Sequence, residues 1–358
     1  MRKASLRKRQ SEERSTQIFN QADEDRQARI FDDDPIKQYI RRYGWLDIVK
    51  AYQSHMQELG VIRPLKLLTL PGKNASDIGL FYKEGVVIVD ENQKLNVAIC
   101  DKQNANSVQS RLARLGSFLA VSNKDLVMTL RRDNLFLNHF PFDVINLDFC
   151  NQLFDINNTD NLEILQRIFW NQRGQAFLLL LTSRSNPRLN IDQASTIISD
   201  NMSLESFRHA FIRRYGDEDI DRCTRDTVAF TQIIFPKIVA RYARESGYRM
   251  IEKFVAHYER RNGNYHMICH SFEFQPLDRY RESLSFSPNN NRPRRHSFDQ
   301  VIYELPVQLR RQAEDEYEDF VTRVLERDSY DVCNAISLDN SLKVRLELEA
   351  SQLARWWD

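Results

Sequence analysis

The sequence predicts an α/β protein with a Rossmann-like, doubly wound and mostly parallel sheet of seven strands that closes with an antiparallel hairpin. Between residues 65 and 184, five short apolar runs alternate with amphipathic stretches, as a parallel sheet requires when helices cover both of its faces. Two longer alternating runs then flank Asn262-Gly263, a dipeptide typical of a tight hairpin turn. Helical patterns before and after this core predict N-terminal and C-terminal appendages.

The composition is that of a globular protein, with 358 residues of which 42% are hydrophobic and 28% charged. No apolar run is long enough to span a bilayer, so we expect no membrane association. The five cysteines are scattered without Cys-x-x-Cys spacing, which predicts no zinc site. The N-terminus lacks the apolar segment of a secretory signal, and we therefore expect a reducing, cytoplasmic location.

The chain divides into four predicted regions. Residues 1–33 form a polar, basic arm that is mobile or partly helical, and a solvated tail is favoured over a nucleic-acid-binding arm. Residues 34–277 form the α/β domain, with a helical insertion at 190–245. Residues 278–299 are rich in Arg, Ser, Pro and Asn, a composition that indicates a linker or surface loop. Residues 300–358 return to helical periodicity.

The first predicted helix precedes the sheet. Asp34-Pro35 is typical of an N-cap followed by proline at the first helical position. Apolar residues at helical spacing continue to Gly60, and Gly44 marks a point where the helix divides into two.

The core elements follow in alternation. Residues 86–90 are ambiguous, since they either form a hairpin with 95–100 or make an excursion before the second strand, and we favour the excursion. The predicted strands are 65–72, 95–100, 117–121, 143–149 and 176–184, and the predicted helices between them are 77–82, 106–115, 126–131 and 162–170.

Polar residues and one glycine fall at or just after the carboxyl ends of the predicted strands. They are Gly72, Asp101, Asp125, Asn146 and Asp148. In a doubly wound sheet the ligand lies outside the carboxyl ends of the strands, so we expect these residues to share one edge.

Five strands alternating with helices and then a closing hairpin resemble the class I S-adenosylmethionine-dependent methyltransferases, over residues 65–275. That family has a glycine-rich loop after its first strand, because the backbone there approaches the cofactor. The resemblance implies that Leu70, Pro71, Gly72 and Asp77 belong to this loop. Here the loop contains one glycine where the family has three, which indicates either a variant loop or a lost cofactor site.

The resemblance also implies roles for the next two strand ends. In the family an acid after the second strand binds both ribose hydroxyls, and Asp101, followed by Lys102, occupies that place. A polar residue after the third strand contacts the adenine amino group, and Asp125 fits. Each aspartate also suits an ordinary capping role.

The fourth strand carries the acceptor chemistry in family members that methylate exocyclic amines of nucleic acids, usually as Asn or Asp, two prolines and an aromatic ring. Asn146-Leu147-Asp148-Phe149 keeps the polar first residue and the aromatic fourth, without the prolines. An alternative register resembles the Asp-Pro-Phe-Gly type of transfer-RNA guanine methyltransferases, with Asp148 as the acid. A turn-capping role for Asn146 and Asp148 is equally open.

His266, Cys269 and His270 resemble metal ligands by residue type. In a strand, however, Cys269 points away from the two histidines, so we predict no metal site.

Two functions remain open from the sequence. The first is a methyltransferase that binds S-adenosylmethionine and acts on an amine, with nucleic acid contacted by the basic clusters at 7–9, 260–261 and 292–295. The second is a catalytically degenerate protein of the same fold, whose helical appendages bind a protein partner in a larger complex.

Overall fold

The computed structural model describes residues 34–153, 160–185, 205–219, 245–259, 266–276 and 339–356, with isolated positions between 199 and 243. The predicted arm at 1–33, the Asn262-Gly263 turn, the linker at 278–299 and most of the insertion at 190–245 lie outside the described residues.

The described residues contain a seven-stranded mixed sheet of order β3-β2-β1-β4-β5-β7-β6. Strands β1 to β5 pair in parallel, β7 is antiparallel to β5, and β6 is antiparallel to β7. The predicted fold class is therefore confirmed. The strands are β1 (Leu67–Thr69), β2 (Lys94–Cys100), β3 (Ser117–Ser122), β4 (Val144–Gln152), β5 (Phe177–Arg184), β6 (Tyr248–Glu259) and β7 (His266–Pro276).

Helices flank the sheet and extend beyond it at both ends of the chain. Of the helices that the structure describes, none is both long and apolar enough to cross a bilayer. They are α1 (Pro35–Tyr39), a π-helical segment (Ile40–Leu46), α2 (Asp47–Glu58), α3 (Ser76–Lys83), α4 (Ala105–Leu112), α5 (Leu126–Arg132), α6 (Asn134–Leu137), α7 (Asp160–Asn171), α8 (Glu205–Tyr215) and α9 (Asn340–Trp356).

The N-terminal helix begins as its sequence predicts. Asp34 Oδ1 accepts a hydrogen bond from Ile36 N at 3.0 Å, and Pro35 takes the first helical position. The division predicted at Gly44 takes the form of the π-helical segment. A Cβ atom on Gly44 would lie 2.7 Å from the Phe254 ring, so only glycine allows the helix to approach β6 this closely.

Alternate residues of the strands face opposite sides of the sheet and build two apolar cores. Leu179 and Leu181 of β5 face one core with helices α5 and α7, whereas Leu178 and Leu180 face the other with α3 and α4. Burial on both faces explains why β5 is an unbroken apolar run.

Residues 86–90 make an excursion and not a sheet strand, as predicted. A single antiparallel bridge joins Val89 to Leu95. The side chain of Asn96 holds the excursion in place, because its Nδ2 donates to Leu65 O at 2.6 Å and its Oδ1 accepts from Ile88 N at 2.8 Å.

The C-terminal helix α9 docks on α1 and α3. Its apolar residues Leu346, Ala350 and Leu353 are buried. Polar contacts join it to the π-helical segment, since Glu349 forms an ion pair with Arg42. The two terminal appendages therefore contact each other.

Replacing Leu179 by alanine should lower the free energy of unfolding by about 2–5 kcal/mol, because the fully buried side chain would leave a cavity in the core. Urea denaturation of both proteins measures the difference. Leu135, which is 80% exposed, is the control, and Leu135→Ala should change stability by less than about 0.5 kcal/mol. Equal effects of the two substitutions would contradict the described packing.

Candidate functional site

The strand order reverses between β1 and β4, which is where a doubly wound sheet opens a crevice for ligands. At this switch point Thr69 pairs with Asn146, and the backbone N–H of Leu70 donates to Asn146 O at 3.2 Å. The neighbouring strands are in parallel register, so the residues after β1, β2 and β3 lie along one edge. The sheet thus brings Gly72, Asp101 and Asp125 to a common edge, as predicted.

The fourth strand is longer than predicted. It continues to Gln152, and Asp148 still pairs with Thr182 of β5. Asn146, Asp148 and Phe149 therefore lie in the middle of the strand and not at its carboxyl end. Because β1 ends opposite Asn146, Asp148 projects beyond the end of its neighbour on that side.

The loop after β1 makes its tight turn at Ala75, which has a left-handed φ of 48°. The N–H of Ala75 donates to Gly72 O at 2.9 Å, and Arg111 of α4 donates to Lys73 O at 3.3 Å. Pro71 is buried, whereas Gly72 is exposed. The backbone at Gly72 is thus the open part of this loop.

Asp101 caps the turn that leads into α4. Its Oδ1 accepts from the N–H groups of Gln103 and Asn104, each at 2.8 Å, and its Oδ2 accepts from Asn104 Nδ2 at 3.0 Å. The capping alternative is therefore present in the structure. A carboxylate has about four acceptor positions, so one on this partly exposed side chain is left for a ligand.

Asp125 lies beside Lys102 at the exposed edge. The Lys102 ammonium is 3.3 Å from Asp125 Oδ2, and both side chains are more than half exposed. Such a pair contributes little to stability, because water screens it. Both side chains can therefore exchange this contact for one with a ligand.

Asp77 does not join the exposed edge. It is buried, and its Oδ2 accepts from Thr69 Oγ1 at 2.6 Å and from Asn146 Nδ2 at 3.2 Å. Burial raises the pKa of this carboxyl group, and the positive charge of Arg41 only partly opposes that effect.

Asn146 and Asp148 point to the same face of β4 and are both covered. Asn146 Nδ2 donates to Asp77, which fixes the orientation of the amide and turns Oδ1 the other way. Asp148 Oδ2 lies 2.5 Å from Lys37 Nζ. Among the described residues, neither Asn146 Oδ1 nor Asp148 Oδ1 has a hydrogen-bond donor, although both atoms are buried. An unpaired buried acceptor is costly, so two together indicate a place for a ligand donor.

Phe149 lies on the opposite side of the sheet, because side chains alternate along a strand. It is 8% exposed and packs in the core formed with α5 and α7. Its ring is therefore separated from Asn146 and Asp148 by the sheet itself.

Two functional candidates were missed by the sequence analysis. Lys37 and Arg41 of the N-terminal helices are 4% and 3% exposed; Lys37 pairs with Asp148 of β4, and the charge of Arg41 acts on Asp77 of α3. Charges four residues apart on a helix ordinarily indicate a solvated face. The helix precedes a buried strand and packs on the sheet, yet these two positions are charged. That mismatch was the signal in the sequence from which the buried charges could have been found. We call Lys37, Arg41, Thr69, Asp77, Asn146 and Asp148 the buried polar cluster.

A small cavity beside this cluster is lined by Thr69, Asp77 and Asn146 together with apolar residues of α3 and β2, and it has room for about one water molecule. The cluster is thus closed to larger ligands in this conformation. No protein-family model matches the chain, and no curated protein matches it either. The geometry of the site is accordingly the basis for a functional proposal.

The His266, Cys269 and His270 group separates between the two faces, as predicted. The His270 ring stacks on Phe235 at 4.8 Å, whereas Cys269 Sγ accepts from Trp45 Nε1 on the other face at 3.4 Å. In the part of the chain that the structure describes, no three His, Cys, Asp or Glu side chains are placed to hold a metal ion.

The raised pKa of Asp77 gives a prediction about pH. The unfolded chain loses this proton near its ordinary value of 3.8, whereas the folded protein keeps it to higher pH. Stability therefore falls as pH rises from 3.8 through the folded pKa. Asn cannot ionise, so the thermal midpoint of Asp77→Asn should rise relative to wild type as pH increases from about 4 to 8. If the thermal midpoints of the two proteins changed in parallel with pH, burial would not raise the pKa of Asp77.

Proposed function

We propose that this chain is an S-adenosylmethionine-dependent methyltransferase-like protein that methylates an amine, with nucleic acid as the class of acceptor. The observation that carries the proposal is the pair of unpaired buried acceptors, Asn146 Oδ1 and Asp148 Oδ1, beside the switch point of the sheet. An amine has two N–H donors, which suit two acceptors on one face of a strand. The order of five parallel strands followed by an antiparallel pair also supports this proposal.

The residues along the open edge fit the cofactor in part. Gly72 exposes its backbone at the switch point, Asp101 keeps acceptor capacity for ribose hydroxyls, and the exposed Asp125 suits the adenine amino group. Lys102 pairs with Asp125 and balances its charge. Leu70 and Pro71 support the loop, whereas Asp77 serves the buried polar cluster and not the open edge.

The cofactor supplies an activated methyl group, and the protein contributes position. Asn146 and Asp148 would hold the acceptor nitrogen by its N–H groups, with its lone pair directed away from the strand. Methyl transfer is an in-line displacement, for which correct placement and exclusion of water supply most of the rate. The two unpaired oxygen atoms, Asn146 Oδ1 and Asp148 Oδ1, are shielded from water.

Nucleic acid is proposed as the acceptor because its exocyclic amines are neutral at physiological pH and because basic residues cluster in the sequence. The clusters at 7–9, 260–261 and 292–295 lie outside the described residues. The cytoplasm is the proposed compartment, since the buried Cys100 and Cys269 are unpaired thiols.

A second function is favoured by a specific observation. Lys37 neutralises Asp148, and the π-helical segment and α9 are joined by the Arg42–Glu349 ion pair. A degenerate methyltransferase fold that binds a protein partner through its terminal helices would have this closed site. Cofactor binding separates the two functions.

Titration of the full chain with S-adenosylhomocysteine in a calorimeter should show binding. Asp101→Ala should weaken that binding at least about tenfold, which corresponds to the loss of one charged hydrogen bond. The matched control is Asp90→Ala, because Asp90 caps a similar turn away from the edge. Unchanged affinity in Asp101→Ala, or a folded wild type that does not bind, would reject the cofactor assignment.

Asn146→Ala should reduce transfer of a labelled methyl group from S-adenosylmethionine to single-stranded nucleic acid by about a hundredfold, because the acceptor loses its alignment. Its affinity for S-adenosylhomocysteine should stay within about twofold, since Asn146 is proposed to contact only the acceptor. Asn171→Ala is the control, because the Asn171 amide donates to Arg167 O within α7, on the other face of the sheet. Parallel loss of cofactor affinity and transfer would contradict an acceptor-specific role.

A further inference from the structure

We propose that α1 and the π-helical segment (35–46) form a lid that is closed over the acceptor site, with the ammonium of Lys37 standing where the acceptor amine binds. The identity of the acceptor site rests on the proposed function. The closure and its control by α9 are independent of it.

Lys37 presents a nitrogen donor to the same carboxylate that is assigned to the acceptor. Its Nζ lies 2.5 Å from Asp148 Oδ2, and the two side chains are 5% and 15% exposed. The remaining acceptors, Asn146 Oδ1 and Asp148 Oδ1, are covered by the lid and lack a donor among the described residues. Lys37 therefore already holds one oxygen of this carboxylate, and an incoming amine that donates to Asp148 Oδ2 must replace it.

The type of helix changes within the lid. Five residues of α1 lead into seven residues of π-helix, a geometry that is rare in long stretches and common at functional sites. The far end of the lid is anchored, because Trp45 and Leu46 are buried in the core, Gly44 packs closely against the Phe254 ring, and Ser271 Oγ donates to Gly44 O at 2.7 Å. Opening therefore starts at the α1 end, which carries Lys37.

Helix α9 holds the lid from outside. Arg42 Nε donates to Glu349 Oε2 at 3.2 Å, and a second guanidinium nitrogen of Arg42 contacts the other carboxylate oxygen. The two side chains are 26% and 13% exposed, so water only partly screens the pair. Glu84 of α3 adds a further contact to Arg42 at 3.4 Å. Release of α9 should therefore favour lid opening.

Hydrogen exchange measured by mass spectrometry on the full chain tests the lid. In Glu349→Ala, the amides of 35–46 should exchange about tenfold faster than in wild type, while those of β4 keep their wild-type rate. Glu163→Ala is the matched control, because Glu163 pairs with Arg131 and Arg167 on the other face of the sheet. Its lid amides should exchange at the wild-type rate.

Chemical rescue tests the role of the Lys37 amine. Lys37→Ala should open the lid, and ethylammonium chloride should restore slow exchange by donating to Asp148. Tetramethylammonium chloride at the same concentration has no N–H donor and should not restore it. If circular dichroism shows that Lys37→Ala is unfolded, the double variant Lys37→Met with Asp148→Asn is used, because it removes the uncompensated charge. Its lid amides should exchange fast in the presence of either salt.

Each result has a defined meaning. The lid proposal is wrong if the lid amides of Glu349→Ala exchange at the wild-type rate, or if the amides of the lid and of β4 are accelerated equally. Rescue by both salts or by neither overturns the Lys37 assignment, as does an ethylammonium response in the double variant. Titration of the same proteins with S-adenosylhomocysteine decides the proposed function separately, because lid exchange does not require the cofactor.

Discussion

The pairing of Lys37 with Asp148 is the interaction on which the rest of the site depends. Burying either charge alone would cost several kcal/mol, so the two must be buried together or not at all. The pair fixes the N-terminal helix over the middle of β4 and leaves one oxygen of Asp148 unused. Burial of charge at this place adds little net stability, which is a reason to connect it with ligand binding.

The same cluster shows how a sheet can hold polar groups inside a core. Thr69 Oγ1 and Asn146 Nδ2 donate to Asp77 Oδ2 at 2.6 and 3.2 Å, and Thr69 and Asn146 follow directly on apolar residues of β1 and β4. The buried polar cluster lies on the face of the sheet covered by α1, beside the apolar core of that face, whereas Phe149 packs in the apolar core of the opposite face.

The open edge and the buried cluster lie on either side of the same switch point. Gly72, Asp101 and Asp125 are accessible to a nucleotide-like ligand, while Asn146 and Asp148 are covered by a helix that α9 holds in turn. Under the proposed function, the open edge would take the cofactor and the covered residues the acceptor, so the two ligands would bind at separate places. Contact between the two ends of the chain therefore bears directly on the site.

The sequence alone determined the order of strands and helices and the edge shared by Gly72, Asp101 and Asp125, because buried parallel strands require apolar runs whose ends are polar. It ended β4 too early and grouped Phe149 with Asn146 and Asp148, because the pairing with β5 that extends the strand, and carries the alternation of its faces through Phe149, is not visible in the sequence. Only the tertiary structure decided that Lys37 meets Asp148 and Arg42 meets Glu349. These pairs join residues that are distant along the chain, and their spacing on each helix is the same as that of solvated charges.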